Sequence, residues 1–352
     1  MPTTPYDLTR EELSALLPGE PAYRARQVWE GLHVRTQRPE EMTELPAALR
    51  DALEVALPPA LSAVSTRSAD DGETTKWLWS LSDEARVETV LMRYADRVTV
   101  CVSTQAGCAM ACQFCATGQA GFQRHLTTGE IVEQVAAAMR AARPRRLSNV
   151  VFMGMGEPLA NYDRVWAAVE RLHAEMGLSA RHLTLSTVGL VPGIRRLAGE
   201  TLPVNLAVSL HAANDELRDE LVPINRRYPL TALAAACAEY VAASGRRLSI
   251  EWALIHGVND RPQDVDELAD FARPLGAHVN LIPLNPTPGY AVVGSSPGRV
   301  RGFRDELTAC GVNATIRATR GADIDAACGQ LAAASAGSAR QPVRLARDGD
   351  AR

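Results

Sequence analysis

The sequence predicts an α/β fold: a small helical region, a β-hairpin, and then an open parallel sheet of six strand–helix units. Three observations carry this expectation. Helical caps and helically spaced apolar residues fill 1–72, two alternating runs follow at 76–81 and 87–94, and from residue 98 short apolar runs alternate with helical segments. Strands alternating with helices of this length form parallel βαβ units. Six such units are too few for a closed eight-stranded barrel. A chain of 352 residues has room for one large domain and a small one.

Thr9 and Glu12 make a capping box for a helix carrying Leu13, Leu16 and Leu17. Val28, Trp29 and Leu32 then share one helical face, as do Leu49, Leu53 and Leu57 further on. Arg24, Arg26, Arg35 and Arg38 give this region a basic edge, which on its own reads as a solvated helix surface. Asp70-Asp71-Gly72 marks a turn, and a hairpin connector is expected over 73–97. The first sheet strand is expected at 97–103, with five more at 149–153, 182–187, 204–210, 248–255 and 278–284. Helices fall between them at 128–142, 162–176, 230–243, 263–274 and 298–310, the first opened by a capping box of Thr127 and Glu130. This main domain spans 98–331 and ends in a loop. The tail at 332–352, rich in Ala, Ser, Gly and Arg, is expected to be disordered.

Composition narrows the class without naming a partner. The net charge of −4 does not announce a nucleic-acid binder, although local potential decides that question. Lys76 is the only lysine, and the bias to arginine and alanine fits a GC-rich genome as well as phosphate recognition. There is no apolar run of about 18 residues and no basic-then-apolar leader, so a cytoplasmic protein without a membrane partner is expected. Seven cysteines, an odd number clustered at one loop, argue for a reducing compartment and against a disulfide scaffold.

That loop is Gly107-Cys108-Ala109-Met110-Ala111-Cys112-Gln113-Phe114-Cys115-Ala116-Thr117-Gly118. A structural zinc site takes four protein ligands, and an electron-transfer 4Fe-4S cluster takes four thiolates. Three thiolates leave one iron without a protein ligand. An open iron can chelate a small molecule, and S-adenosylmethionine offers an amino group and a carboxylate for the purpose. Other polar groups also stand at strand ends: Gly154-Met155-Gly156-Glu157-Pro158, Ser186, Ser209-Leu210-His211 and Asn285. Glycines let a ligand approach the backbone, and Glu157 can accept hydrogen bonds from an ammonium. Taken singly, each is only a polar strand end, Glu157 is a turn glutamate, and His211 is a satisfied core histidine. Cys101, at the end of the first sheet strand, and Cys328, in Ala327-Cys328-Gly329-Gln330, read either as reactive thiols or as small buried hydrophobes. Cys237 and Cys310 read as structural.

The Cys-x3-Cys-x2-Cys spacing with Phe114 before the third cysteine resembles the signature of radical S-adenosylmethionine enzymes. Longer stretches resemble the RNA adenine methyltransferases of the RlmN/Cfr group: 108–121, Val151-Phe152-Met153-Gly154-Met155-Gly156-Glu157-Pro158, Ser209-Leu210-His211-Ala212, and Asp323-Ile324-Asp325-Ala326-Ala327-Cys328-Gly329-Gln330-Leu331. The resemblance runs from about residue 8 to 331. It implies an open (β/α)6 partial barrel of the radical SAM type, with 1–72 as an RNA-docking accessory domain. It implies a 4Fe-4S cluster on Cys108, Cys112 and Cys115, and two S-adenosylmethionine molecules per turnover. Implied cofactor contacts are Gly156, Glu157, Ser186, Ser209, Leu210, His211 and Asn285. A flavodoxin or ferredoxin would be the reducing partner, and the chain is expected to act as a monomer.

The chemistry explains why such an enzyme wants two further thiols. The ring carbon between two adenine nitrogens is electron-poor, so direct displacement of the cofactor's methyl fails. A methyl parked on a thiolate can instead lose a hydrogen to a 5′-deoxyadenosyl radical and then add to the ring. Release needs a base for the ring proton and a second thiol to form a disulfide. By resemblance, Cys328 carries the methyl, Cys101 resolves the adduct and Glu88 is the base. Pro158, the Asn280-Leu281-Ile282-Pro283-Leu284-Asn285-Pro286 stretch and Arg320-Gly321 resemble the carbon-2 branch of the group rather than the carbon-8 branch. The implied substrates are an adenosine of 23S ribosomal RNA and an anticodon-adjacent adenosine of some transfer RNAs. Three alternatives stay open: a carbon-8 methyltransferase, a radical enzyme acting on a non-RNA substrate, and a non-catalytic iron–sulfur or zinc protein that binds RNA.

Overall fold

The computed structural model describes residues 4–285, 292–317, 320–326 and 329–331; Cys328 and the tail at 332–352 lie outside the described residues. Helices α1 (Arg10–Ala15), α2 (Ala22–His33) and α3 (Ala47–Ala56) precede strands β1 (Ser62–Ala69), β2 (Thr74–Ser80), β3 (Arg86–Arg93) and β4 (Val98–Cys101). Helix α4 (Ala116–Ala120) follows the cysteines, and short strands β5 (Gln105–Gly107) and β6 (Phe122–His125) stand on either side of that loop in sequence. Next come α5 (Thr128–Ala142), β7 (Asn149–Phe152), α6 (Tyr162–Ala174), β8 (Leu183–Thr187), α7 (Val191–Ala198) and β9 (Asn205–Ser209). Then follow α8 (Asp215–Leu221), α9 (Leu230–Ser244), β10 (Ser249–Leu254), α10 (Pro262–Ala272), β11 (His278–Pro283), α11 (Pro297–Ala309) and β12 (Asn313–Ile316).

The chain divides into two compact units, one of Met1–Ala106, Gln123–Leu185 and Leu202–Val204, the other of Gly107–Phe122, Ser186–Thr201 and Asn205–Arg352. In the first, β1 to β4 form an antiparallel meander, and β7 and then β8 continue from β4 in parallel. Helix α5 packs on β3 and β4 and against α6. Gln134 of α5 accepts from the Thr89 hydroxyl at 2.8 Å, which identifies the face of β3 that the helix covers. Side chains alternate along a strand, so Leu91 and its cross-strand partner Val100 share that covered face. Glu88, Val90 and Cys101 therefore look the other way.

In the second unit, β9, β10, β11 and β12 run parallel. Ile250, Trp252, Leu254, Val279 and Leu281 are buried, and α11 packs on β11 and β12. The opposite face is polar: Asn280 donates to Glu251 at 2.8 Å and accepts from Thr315 at 2.9 Å. The six expected parallel strands are thus present, three in each unit, and β12 adds a seventh. Both capping boxes form as the sequence implied. Among the described residues, no helix is long and apolar enough to cross a membrane.

Ser62–Ala69 corrects the expectation that 1–72 is helical throughout, because it forms β1. Its one large apolar residue, Val64, is exposed. The strand therefore carries no burial pattern to read, and it exists because β2 supplies its hydrogen bonds. The arginines of the basic edge also have partners: Arg35 pairs with Glu44, Arg26 lies 4.0 Å from Glu30, and Arg38 lies 3.9 Å from Glu40.

The helical region holds a buried titratable group. His33 stacks on Trp29 at 4.0 Å and meets Tyr6 edge-on at 5.4 Å. Burial pulls its pKa down to about 4. The unfolded chain therefore takes up this proton first as the pH falls below the ordinary histidine value. Stability contributed by neutral His33 is full above about pH 6.5 and is lost toward pH 4, by about 3 kcal/mol. Glu133, which burial raises to about 7, slopes the other way, so the test is a difference. Urea unfolding of wild type and His33→Phe should show that loss between pH 6.5 and 4 in wild type relative to the variant. Parallel curves would remove His33 as its source.

Candidate active site

Glu88 and Cys101 lie on one face of the first unit's sheet. Val90 pairs with Cys101 across β3 and β4, and with Lys76 across β2 and β3, so these three form a row. Glu88 stands in the next row, and the Lys76 ammonium reaches its carboxylate at 3.3 Å. The two side chains are only 9% and 6% exposed. The chain's single lysine is thus a buried counter-ion. Lys76→Met would leave the carboxylate buried without its cation, a change expected to cost about 3–5 kcal/mol. Adding Glu88→Gln should recover most of that in urea denaturation, and no recovery would show that the pair is not what Lys76 is there for.

Ser103 joins this face to the loop after β7. Its hydroxyl donates to the Glu88 carbonyl at 2.6 Å and accepts from the Met155 amide at 3.0 Å. The Gly154-Met155-Gly156-Glu157 loop is held again by Gln105, whose Oε1 accepts from the Glu157 amide at 2.9 Å. Gly156 has φ +104, and a Cβ there would lie 2.6 Å from the Cβ of Gln105. Only glycine allows the Gln105 side chain to cross the loop so closely. Glu157 is 2% exposed, and its Oε1 accepts from the Leu159 amide at 3.0 Å.

The second unit holds the three-cysteine loop. Cys112 is buried, and Cys108 and Cys115 are half-buried. The loop is cinched at its base, where the Cys108 amide donates to Gly121 O at 2.8 Å. A Cβ on Gly107 would lie 1.9 Å from that same carbonyl. Within the loop, Cys112 O accepts from the Cys115 amide at 3.2 Å, and Ala111 takes a left-handed φ of 55°. Cys112 and Phe114 form an apolar cluster with Leu221, Val222 and Ile255. Among the described residues, no three His, Cys, Asp or Glu side chains converge on one metal ion. A 4Fe-4S cluster takes one thiolate on each ligated iron. Three thiolates on a tight, apolar-backed loop fit the cluster.

His211 follows β9 in this unit and is buried. Its ring meets Phe114 of the cysteine loop edge-on at 4.5 Å, and its Nδ1 accepts from the Ala253 amide at 3.0 Å. The hydrogen on the neutral ring is therefore on Nε2. Burial and the Arg218 charge push its pKa down to about 3. The backbone is left-handed at φ 61, a strained state for histidine that Asn259 holds by donating to His211 O at 2.8 Å. Fully buried Arg218 ties two of the strand ends together, donating to Val188 O at 2.7 Å and Leu210 O at 3.1 Å. Ser209 stands beside Glu251 in register, Ser186 lies near the end of β8, and Asn285 is buried after β11.

Cys328 lies outside the described residues, but the residues after it dock onto the helix that follows the cysteines. The Ala116 amide donates to Gly329 O at 2.8 Å, and the Thr117 hydroxyl donates to Leu331 O. Cys237 is fully buried, which raises its thiol to about 12 and leaves it inert. Of the expected site residues, Glu88, Cys101, Gly156 and Glu157 belong to the first unit. The cluster cysteines, Ser186, Ser209, Leu210, His211 and Asn285 belong to the second. Sequence reasoning passed over Lys76, Ser103, Gln105 and Arg218. Only Lys76 carried a signal, as the one lysine in an arginine-rich chain.

A parallel α/β sheet with this three-cysteine loop after its first parallel strand, and a Gly-Met-Gly-Glu loop after the next, defines the radical S-adenosylmethionine class. Residues 102–272 match the model of the Radical SAM superfamily. The "Probable dual-specificity RNA methyltransferase RlmN" of Parafrankia sp. (strain EAN1pec) is 55% identical over 93% of this chain and 91% of its own. The protein of that description from Streptomyces coelicolor is 52% identical over 93% of each chain. The crystal structure of a radical SAM methyltransferase from Sphaerobacter thermophilus superposes with a TM-score of 0.91 at 51% identity, covering 94% of this chain and 100% of that one. The chain belongs to the RlmN family of radical SAM proteins.

Proposed function

We propose that this chain methylates carbon 2 of a specific adenosine in 23S ribosomal RNA, and an anticodon-adjacent adenosine in transfer RNAs. Cys328 is the methyl carrier, Cys101 the resolving thiol and Glu88 the base. The observation that carries this reading is the contact between Ala116, next to the third cluster cysteine, and Gly329, next to Cys328. It supports the reading because Gly329 lies against the residue that follows the third cysteine of the loop.

When bound, the 4Fe-4S cluster and two molecules of S-adenosylmethionine supply the methyl group and the one-electron chemistry that an unactivated C–H bond demands. Cys108, Cys112 and Cys115 hold the cluster. Gly156, Glu157, Ser186, Ser209, Leu210, His211 and Asn285 hold the cofactor, with Glu157 accepting from its ammonium. Once the carrier's carbon is bonded to carbon 2, Glu88 takes the ring proton, and the unpaired electron left on the ring would pass to the cluster that Cys108, Cys112 and Cys115 hold. The Cys101 thiolate attacks the Cys328 sulfur, forming the S–S bond and breaking the S–C bond. The freed electron pair stays with the carbon, which takes up a proton to become the methyl group. The disulfide is then reduced before the next turnover.

Residues 1–72 are the RNA-docking domain, and 73–97 the connector. The exposed ion pairs of Arg26, Arg35 and Arg38 are weak, so RNA phosphates can displace their carboxylates at little cost. A flavodoxin or ferredoxin supplies electrons to a monomeric, cytoplasmic enzyme. The test is anaerobic turnover on ribosomal RNA fragments and on transfer RNA, with mass spectrometry of the digested nucleosides. 2-Methyladenosine from wild type and none from Cys328→Ala is expected. 8-Methyladenosine would move the reaction to the other ring carbon, and no methylated base with any RNA would overturn the RNA reading.

A further inference from the structure

The loop that ends in Glu157 is held by a side chain that the chemistry above does not use. Gln105 is 1% exposed. Its amide makes two contacts, to the Glu157 backbone N–H at 2.9 Å and to His125 Nδ1 at 3.0 Å. A backbone N–H can only donate, so the Gln105 oxygen must face Glu157. The Gln105 NH2 then faces His125, and Nδ1 must accept. His125 is therefore neutral, with its hydrogen on Nε2. Donor direction is fixed along the whole chain from imidazole to loop.

We propose that Gln105, oriented by neutral His125, is a positioning residue that aims Glu157 at the ammonium of S-adenosylmethionine. The proposal rests on the reading of Glu157 as a cofactor contact. It explains three features together. Gly156 must be glycine because the Gln105 stem crosses it. The Thr104 and Gln105 amides both donate to Met155 O, at 2.8 and 3.2 Å, so backbone and side chain grip the same loop. The Glu157 carboxylate, fixed at one oxygen by the Leu159 amide, has its backbone fixed by Gln105.

The same geometry makes the grip depend on the His125 proton. An imidazolium would set Nδ1–H against the Gln105 NH2. Turning the amide over would relieve that clash but set NH2 against the Glu157 N–H. One of the two contacts is lost either way. Burial and the Arg164 charge on α6 both hold His125 below the ordinary histidine range. Arg124, its neighbour on β6, is held by Asp83 and by Glu130 of α5, and Glu157 is the acid of the gripped loop.

The experiment measures S-adenosylmethionine binding by anaerobic calorimetry on the cluster-loaded protein, with steady-state KM and kcat beside it. Gln105→Leu should weaken binding about 10- to 100-fold, as loss of an outer support does elsewhere, and raise KM while kcat at saturation changes little. His125→Asn places an oxygen near the former Nδ1 and should keep wild-type affinity. His125→Leu offers no acceptor and should match Gln105→Leu. Wild-type affinity should fall as the pH drops into the His125 titration, and His125→Asn should lose that dependence. Glu157→Gln separates the two layers of the idea. If it leaves affinity unchanged, the assignment of Glu157 fails and the proposal falls with it. If it weakens binding while Gln105→Leu does not, only the clamp is overturned. Equal loss in His125→Asn and His125→Leu also overturns it, by reducing the ring to packing.

Discussion

Cys112→Ala should purify colourless, fail to take up a cluster on anaerobic reconstitution with iron and sulfide, and neither cleave S-adenosylmethionine nor methylate RNA. Cys112 is the most deeply placed of the three cluster cysteines, 6% exposed among Phe114, Leu221, Val222 and Ile255. Alanine fills most of that apolar niche, so the loop keeps its fold while losing a thiolate. Two thiolates would then face four irons. Among the described residues, no other group of His, Cys, Asp or Glu is gathered to substitute. Iron and sulfide analysis, visible absorption and release of 5′-deoxyadenosine are the readouts. Activity should fall to that of metal-free protein, whereas Cys237→Ala, at a buried thiol raised to about 12, should keep the colour. A brown Cys112→Ala protein that still cleaves the cofactor would take Cys112 out of the ligand set.

The cysteine loop was legible because its chemistry depends on spacing within a few residues, which sequence records directly. The parallel strands were legible for a related reason. Val150, Phe152, Leu183 and Leu185 are buried beside residues such as Asn149 and Thr184 that are not, and that contrast survives in composition. β1 and β12 were not legible. Their residues are mostly small or polar, and a neighbouring strand's backbone, distant in sequence, decides their state. The same holds for the supports of the site. Lys76 reaches Glu88 across a hairpin, and Gln105 meets His125 across the cysteine loop and Glu157 across that loop, β6, α5 and β7. Arg218 joins two strand ends through backbone carbonyls that leave no trace in side-chain identity. Residues that do chemistry advertise themselves by type. Those that aim them are defined by register.

Cys101→Ala should convert the enzyme into one that remains bonded to its RNA. On the proposed mechanism, attachment of the carrier carbon to the ring makes RNA and protein one molecule through the Cys328 sulfur. Only attack on that sulfur breaks the S–C bond and leaves its electron pair on carbon. An alanine methyl offers no nucleophile, and a hydroxyl in Cys101→Ser cannot make a disulfide. Released 2-methyladenosine should therefore fall about a thousandfold, equivalent to about 4 kcal/mol in the barrier, while a protein–RNA species accumulates on denaturing gels. Folding should be spared, because Cys101 is a small buried strand residue flanked by Val100 and Val102, and alanine keeps the strand pairing with Val90 and Val151. The adduct should require Cys328, and so be absent from Cys101→Ala/Cys328→Ala. An adduct in that double variant would place the carrier elsewhere. Free methylated RNA at the wild-type rate from Cys101→Ala would show that the carrier's bond is broken without a second thiol, and Cys101 would then be no more than the small buried residue its strand can hold.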